Sequence, residues 1–240
     1  MSVHYNTTIT YYPDTIQVKY YPEFSPSGGG SSNDKESPES VSFRSLTRTR
    51  KMVFDYARCN SFDYFVTLTF NPKLIDSFDY SESQKAMSSW LDSLRRRFPF
   101  MKYLGVPELH KSGRYHFHFL MSGIDGITMV DSGHRTPKGQ IIYNLPDYRY
   151  GFSTAIKVYE SGAKLAGYLS KYISKDLAQH SKNRKRYWCS RNLALPEIDT
   201  CFMSLQELSF KFSGLEVLYN KTIEDGKGCG IIEYSLNTPI

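Results

Sequence analysis

The sequence predicts an α+β fold in which a central antiparallel β-sheet is flanked by helices. Three observations predict it. Short runs of β-branched and aromatic residues read as strands, and two longer stretches carry apolar residues at helical spacing. The elements follow one another as strand, helix, strand, strand, strand, helix, strand. That order suits helices packed on one face of an antiparallel sheet.

Residues 1–40 read as a flexible N-terminal extension. It opens with a Tyr- and Thr-rich segment and continues from Ser25 into a Gly/Ser/Pro-rich linker that cannot bury a core. The folded domain is expected over residues 41–195. A basic stretch (Arg44, Arg48, Arg50, Lys51) begins a helix there, as a phosphate-contacting surface or as a solvated face. Residues 62–70 are a strand rich in aromatic and β-branched residues, ended by Asn71-Pro72. Residues 81–98 are a helix, with Met87, Trp90, Leu91 and Leu94 at helical spacing, Arg95-Arg96-Arg97 in the last turn and Pro99 as the stop. Residues 101–110 and 115–122 are strands joined by a turn at Lys111-Ser112-Gly113-Arg114. Residues 123–150, rich in Gly, Pro and Asp, read as a long loop. Residues 150–159 are a strand, 161–177 a helix and 186–193 a strand. Residues 196–240 are a C-terminal extension that packs on or follows the domain, with a short helix near 205–208.

The bulk numbers narrow the partners. The net charge is +6, which favours an anionic partner, nucleic acid first among them. Tyr (19) and Phe (15) are abundant enough to fill a β-rich core and to offer faces on which bases stack. The four cysteines lack metal-finger or redox spacing and read as reduced thiols of a cytoplasmic protein. No apolar run is long enough to span a membrane, and the N-terminus lacks a secretory pattern.

Two constellations carry chemistry. In the strand at 115–122, His116 and His118 are two apart, so both imidazoles point to one face while Phe117 and Phe119 point into a core. The hairpin returns Glu108 beside them from the neighbouring strand. Two imidazoles and a carboxylate can hold a divalent metal with positions open for substrate. His110 lies on the same strand face as Glu108 and competes for the third place. Alternatively, the His pair is only a polar face.

In the helix at 161–177, Leu165, Ala166, Leu169, Ile173 and Leu177 form an apolar arc. At about 100° per residue, Lys164, Tyr168, Lys171, Tyr172 and Lys175 share a separate stripe. The plain reading is a tyrosine pair at the core margin with snorkelling lysines. The chemical reading is a nucleophilic phenol whose neighbouring ammonium groups favour the phenolate and offset phosphate charge.

Three motifs occur in order: Phe65-Val-Thr-Leu-Thr-Phe70, His116-Phe-His118 and Tyr168-x-x-Lys-Tyr-x-x-Lys175. The arrangement resembles the HUH endonuclease superfamily, and most of all the two-tyrosine rolling-circle replication initiators of small single-stranded DNA phages or plasmids. The resemblance spans roughly residues 60–193 and implies a ferredoxin- or RRM-like sheet flanked by helices. It implies that Mg²⁺ or Mn²⁺ is held by Glu108, His116 and His118, and that Tyr168 and Tyr172 are nucleophiles. Tyr172 is favoured if only one serves. It implies that Lys171 or Lys175 assists, that a 5′-phosphotyrosine link and a free 3′-OH are formed, and that strands are later rejoined. It assigns Thr67 and Thr69 no catalytic role.

Lys111, Arg114, Lys164 and Arg186 are the expected DNA contacts. The expected partners are single-stranded origin DNA and a host helicase and polymerase in the bacterial cytoplasm. No phosphate-loop motif points to a built-in helicase. The alternatives are a single-strand transposase or relaxase of the same superfamily, a non-catalytic DNA-binding protein, or a metal-dependent hydrolase without a covalent step.

Overall fold

The computed structural model describes residues 5–25, 38–160, 162–173, 184–223 and 229–236. They divide into two compact units, one drawn from both ends of the chain (up to Lys35 and from Leu195 onward) and one formed by Glu36–Ala194.

In the unit formed by both chain ends, β1 (Tyr5–Tyr11), β2 (Thr15–Ser25), β10 (Glu197–Cys201), β11 (Val217–Ile223) and β12 (Cys229–Ser235) form an antiparallel sheet in the order β10-β1-β2-β12-β11. The helix α4 (Leu205–Lys211) is capped by Ser204 and Glu207, which bond reciprocally across its first turn. Leu208 and Phe212 pack with Ile9, Ile16, Val18 and Tyr234. Asn6 bonds both the carbonyl and the N–H of Met203, at 2.8 and 2.9 Å. The expected flexible extension therefore contains two paired strands, and the expected C-terminal extension supplies three more. The β1 and β2 pairing is reinforced by a local turn at Pro13-Asp14, closed by Tyr12 N–H to the Thr15 carbonyl. Most of the Gly/Ser/Pro-rich linker lies outside the described residues.

In the Glu36–Ala194 unit, β3 (Tyr64–Phe70), β4 (Lys102–Leu109), β5 (Tyr115–Ser122), β6 (Val130–Arg135), β7 (Ile141–Asn144), β8 (Gly151–Lys157) and β9 (Trp188–Cys189) form a second antiparallel sheet, ordered β6-β7-β8-β3-β5-β4-β9. The helices are α1 (Pro38–Cys59), α2 (Tyr80–Arg97) and α3 (Gly162–Ser170).

The helices cover both faces, not one as the element order suggested. Met87, Trp90, Leu91 and Leu94 of α2 pack with Val66, Leu68, Phe117, Phe119 and Met121 on one face. Leu46, Val53 and Ala57 of α1 and Leu165, Ala166 and Leu169 of α3 pack with Leu104, Val106 and Leu120 on the other. The alternation of side chains along β5 divides its residues between these layers. Asp79 caps α2 by accepting from Ser81 and Glu82 N–H groups. Gly105 lies opposite Phe119 in register, and a Cβ there would come within 2.0 Å of the Phe119 ring, so the ring fills space only glycine leaves.

Three further expectations differ from the structure. The stretch read as a loop over 123–150 holds the β6–β7 hairpin, whose exposed polar sequence gives no buried alternation to read. The last strand is only Trp188–Cys189. The helix expected over 161–177 ends in regular form at Ser170. Lys171, Tyr172 and Ile173 then bond back three residues each, which tightens the chain into a turn.

Candidate active site

Three adjacent strands bring the site side chains onto one face. In register, Glu108 of β4 lies opposite His116 of β5, and Val106 opposite His118. On the other side of β5, Thr69 of β3 lies opposite His116 and Thr67 opposite His118. The hydroxyl of Thr67 is 3.1 Å from His118 Nδ1, and that of Thr69 is 3.2 Å from His116 Nδ1. Each threonine thus fixes one nitrogen of its histidine and leaves Nε2 for another partner.

His118 is buried, and its Nε2 lies 2.7 Å from Glu108 Oε2. The carboxylate reaches diagonally past its register partner to do this. That hydrogen bond, ahead of the opposing cost of burial, holds the Glu108 carboxyl below its ordinary pKa. Burial, and then the charge of His110, hold the His116 imidazole below its ordinary value.

The two tyrosines meet this face through His118. The ring of Tyr172 stacks on the His118 imidazole at 3.9 Å and 17°. Phe65 lies against His118 at 5.7 Å and meets Tyr168 edge-on at 5.2 Å. The Tyr172 hydroxyl donates to the Tyr168 hydroxyl at 2.7 Å. Arg50 of α1 donates to the Ile173 carbonyl at 2.8 Å and ties down the turn that carries Tyr172. At the start of α3, a Cβ on Gly162 would meet the Arg58 carbonyl at 3.1 Å, so this glycine admits the close approach of α1.

The lysine stripe does not act on Tyr172 as expected. Burial, then the hydrogen bond to Tyr168, push its phenol well above the ordinary value. Lys171 and Lys164 are exposed, and Lys175 lies outside the described residues.

Of the other expected contacts, Lys111 is exposed at the hairpin tip. Arg114 donates to Ser77 Oγ at 2.9 Å and lies 4.3 Å over the Phe78 ring. Arg186 donates to Ser45 Oγ at 3.0 Å. Both arginines therefore hold the fold as well as carrying charge. In the basic stretch of α1, Lys51 pairs with Asp55 at 2.5 Å and Arg50 is bound to Ile173.

Sequence reasoning missed Thr67, Thr69, Phe65 and Arg50 as parts of this cluster. The period-2 spacing of Phe65, Thr67 and Thr69 was a usable signal, because it places all three on one face of β3. The partner strand was not readable from it.

The donors fit a divalent cation in kind: two imidazoles with their second nitrogens fixed, and an ionised carboxylate. Among the described residues no three His, Cys, Asp or Glu side chains already surround a common point as ligands would. The direct His118–Glu108 bond is the contact a cation would replace. His110 fits less well. Its Nδ1 accepts from the Ser112 backbone N–H at 3.2 Å, which leaves the proton on the outward Nε2.

Residues 63–177 match the family described as replication-associated protein ORF2, just under half of the chain. The match supports a replication initiator. It runs from β3 to beyond the tyrosine turn and so includes Glu108, both histidines and both tyrosines. A DNA partner follows from the family's replication role. No curated protein and no solved structure matches the chain. No helix among the described residues is long and apolar enough to cross a membrane.

Proposed function

We propose that this protein initiates rolling-circle replication by nicking single-stranded origin DNA through tyrosine transesterification, and ends it by rejoining strands. The observation that carries the reading is the stacking of Tyr172 on His118 with its hydroxyl bonded to Tyr168, because it joins the phenols to the His/Glu face. A Mg²⁺ or Mn²⁺ ion held by His116, His118 and Glu108 would polarise the scissile phosphate.

A phenolate oxygen attacks phosphorus, the P–O3′ bond breaks, and the 3′ oxygen takes up a proton. The product is a 5′-phosphotyrosine link and a free 3′-OH for a host polymerase. Covalent capture conserves the phosphodiester for rejoining without ATP. Lys171 is exposed at the end of α3, where it can meet a phosphate or supply the proton; Lys175 carries the same role in sequence terms.

The direction of the Tyr172-to-Tyr168 hydrogen bond supports Tyr168 as the first nucleophile, not the Tyr172 favoured by resemblance. An O–H donated to the Tyr168 oxygen stabilises negative charge there, while Tyr172 keeps its proton. Tyr172 then serves the second cut, while Tyr168 holds the 5′ end. A host helicase would open the duplex in the bacterial cytoplasm.

The test is single-stranded DNA carrying the cognate origin, incubated with the protein and Mn²⁺. The expected product is a 3′ end that a polymerase extends and a 5′ end blocked by protein. A 5′ end that remains open to a kinase after phosphatase treatment excludes the covalent step. Full activity of His116→Ala excludes the metal assignment.

A further inference from the structure

The face that carries the site continues across β3 onto β8. Phe152 of β8 lies opposite Thr69, which lies opposite His116, which lies opposite Glu108. One cross-strand row therefore reads Phe152, Thr69, His116, Glu108, with all four side chains on the same face. Phe152 is 70% exposed. Phe100 and Tyr159 are as exposed, at 86% and 72%, but neither lies within a strand of the sheet.

The mount of Phe152 is rigid. β8 is paired residue by residue with β3 from Gly151 to Lys157, and Asn71 N–H bonds the Tyr150 carbonyl at 2.8 Å. At Gly151 a Cβ would meet the Thr69 carbonyl at 2.2 Å, so the two backbones are pressed together beside Phe152. Thr69, the residue between Phe152 and His116, is small, and its hydroxyl is turned onto His116. The Asn71–Leu74 turn that follows β3 presents the exposed Lys73.

We propose that Phe152 is a stacking platform that seats a base of single-stranded DNA next to the scissile phosphate, an assignment that rests on the tyrosine-nicking function proposed above. Two strand spacings separate Phe152 from His116, about 10 Å. That is within the span of one or two extended nucleotides. An aromatic face held on a rigid strand offers stacking with little ordering cost. Because every base has a π-face, the platform positions the strand without reading its identity. Lys73 supplies charge for the adjoining phosphate.

The test uses the full chain in EDTA, where binding is measured without cleavage, with single-stranded oligonucleotides carrying 2-aminopurine at successive positions. In the native protein one position is quenched by stacking. Phe152→Ala should lose that quenching and bind about tenfold more weakly, with an unchanged dependence of affinity on salt because no charge is removed. Phe152→Trp should restore both signals. Equal affinity and equal quenching in Phe152→Ala overturn the platform, even if the native protein forms a tyrosine adduct with Mn²⁺. Loss of quenching in the variant, together with no adduct from the native protein, supports the platform and overturns the nicking chemistry instead.

Discussion

The two faces of β5 divide the work of this molecule. Phe117, Phe119 and Met121 are fully buried against α2, with Trp90, Leu91 and Leu94 closing over them. Their neighbours His116 and His118 face the other way, toward two threonines, a carboxylate and two phenols. One strand thus carries a sealed hydrocarbon layer and a polar row one residue out of phase. The lesson is that the period of a strand allocates stability and chemistry to alternate residues, so a one-residue change of position reverses the kind of damage expected.

The largest expected effect breaks the chemical face alone. Replacing both Tyr168 and Tyr172 with Phe should abolish covalent attachment to DNA, while DNA binding and the melting temperature stay near the native values. Attachment that survives in the double variant would place the nucleophile elsewhere. Phe117→Ala should do the reverse and destabilise the fold by about 3–5 kcal/mol. His116→Ala, one residue away, should barely change the denaturation midpoint yet remove metal-dependent cleavage. If the two variants show the same loss of stability, the division between the faces fails.

A smaller effect sharpens the polar side. Thr67→Val and Thr69→Val keep the shape and remove the hydroxyl from a histidine Nδ1. Each should weaken Mn²⁺ binding about 10- to 100-fold by calorimetry, and Ser at either position should recover most of it. Unchanged affinity in both valine variants would limit the threonines to packing.

The smallest effect is in titration. The folded pKa of His116 is depressed, so the unfolded chain takes up a proton first as pH falls, and stability declines below about 6.5. Glu108, also depressed, contributes stability that is present above the ordinary carboxylate range and lost as pH falls through its folded value. In the metal-free protein, NMR should find the His116 midpoint below that of a free imidazole. His110→Gln, by removing a like charge, should move it upward. A midpoint unchanged by His110→Gln would mean that the stacked ring at 5.2 Å exerts no charge effect.

Local signals made much of this readable. The Glu108–His116 pairing follows from a four-residue turn and the period of two, and α2 follows from its spacing, its basic last turn and Pro99. Longer-range facts were not readable. β1 and β2 gain their sheet partners β10 and β12 from the far end of the chain, where no local pattern announces the pairing. The β6–β7 hairpin hides because its residues face solvent and show no apolar alternation. The threonine bonds and the row ending at Phe152 depend on β3 lying between β5 and β8, an order that spacing alone does not give. The close of α3 at Ser170 was missed because apolar spacing continues through Ile173 while the hydrogen bonding has already tightened.

The central claim is that the His/Glu face and the tyrosine pair form one site. The most direct measurement is incubation with origin-bearing single-stranded DNA and Mn²⁺, followed by denaturing electrophoresis and mass mapping of the attached peptide. The account predicts a nucleotide on Tyr168 in the native protein, on Tyr172 when Tyr168 is Phe, and on neither when His118 is Ala. An adduct on any other residue, or one that forms equally well in His118→Ala, would contradict it.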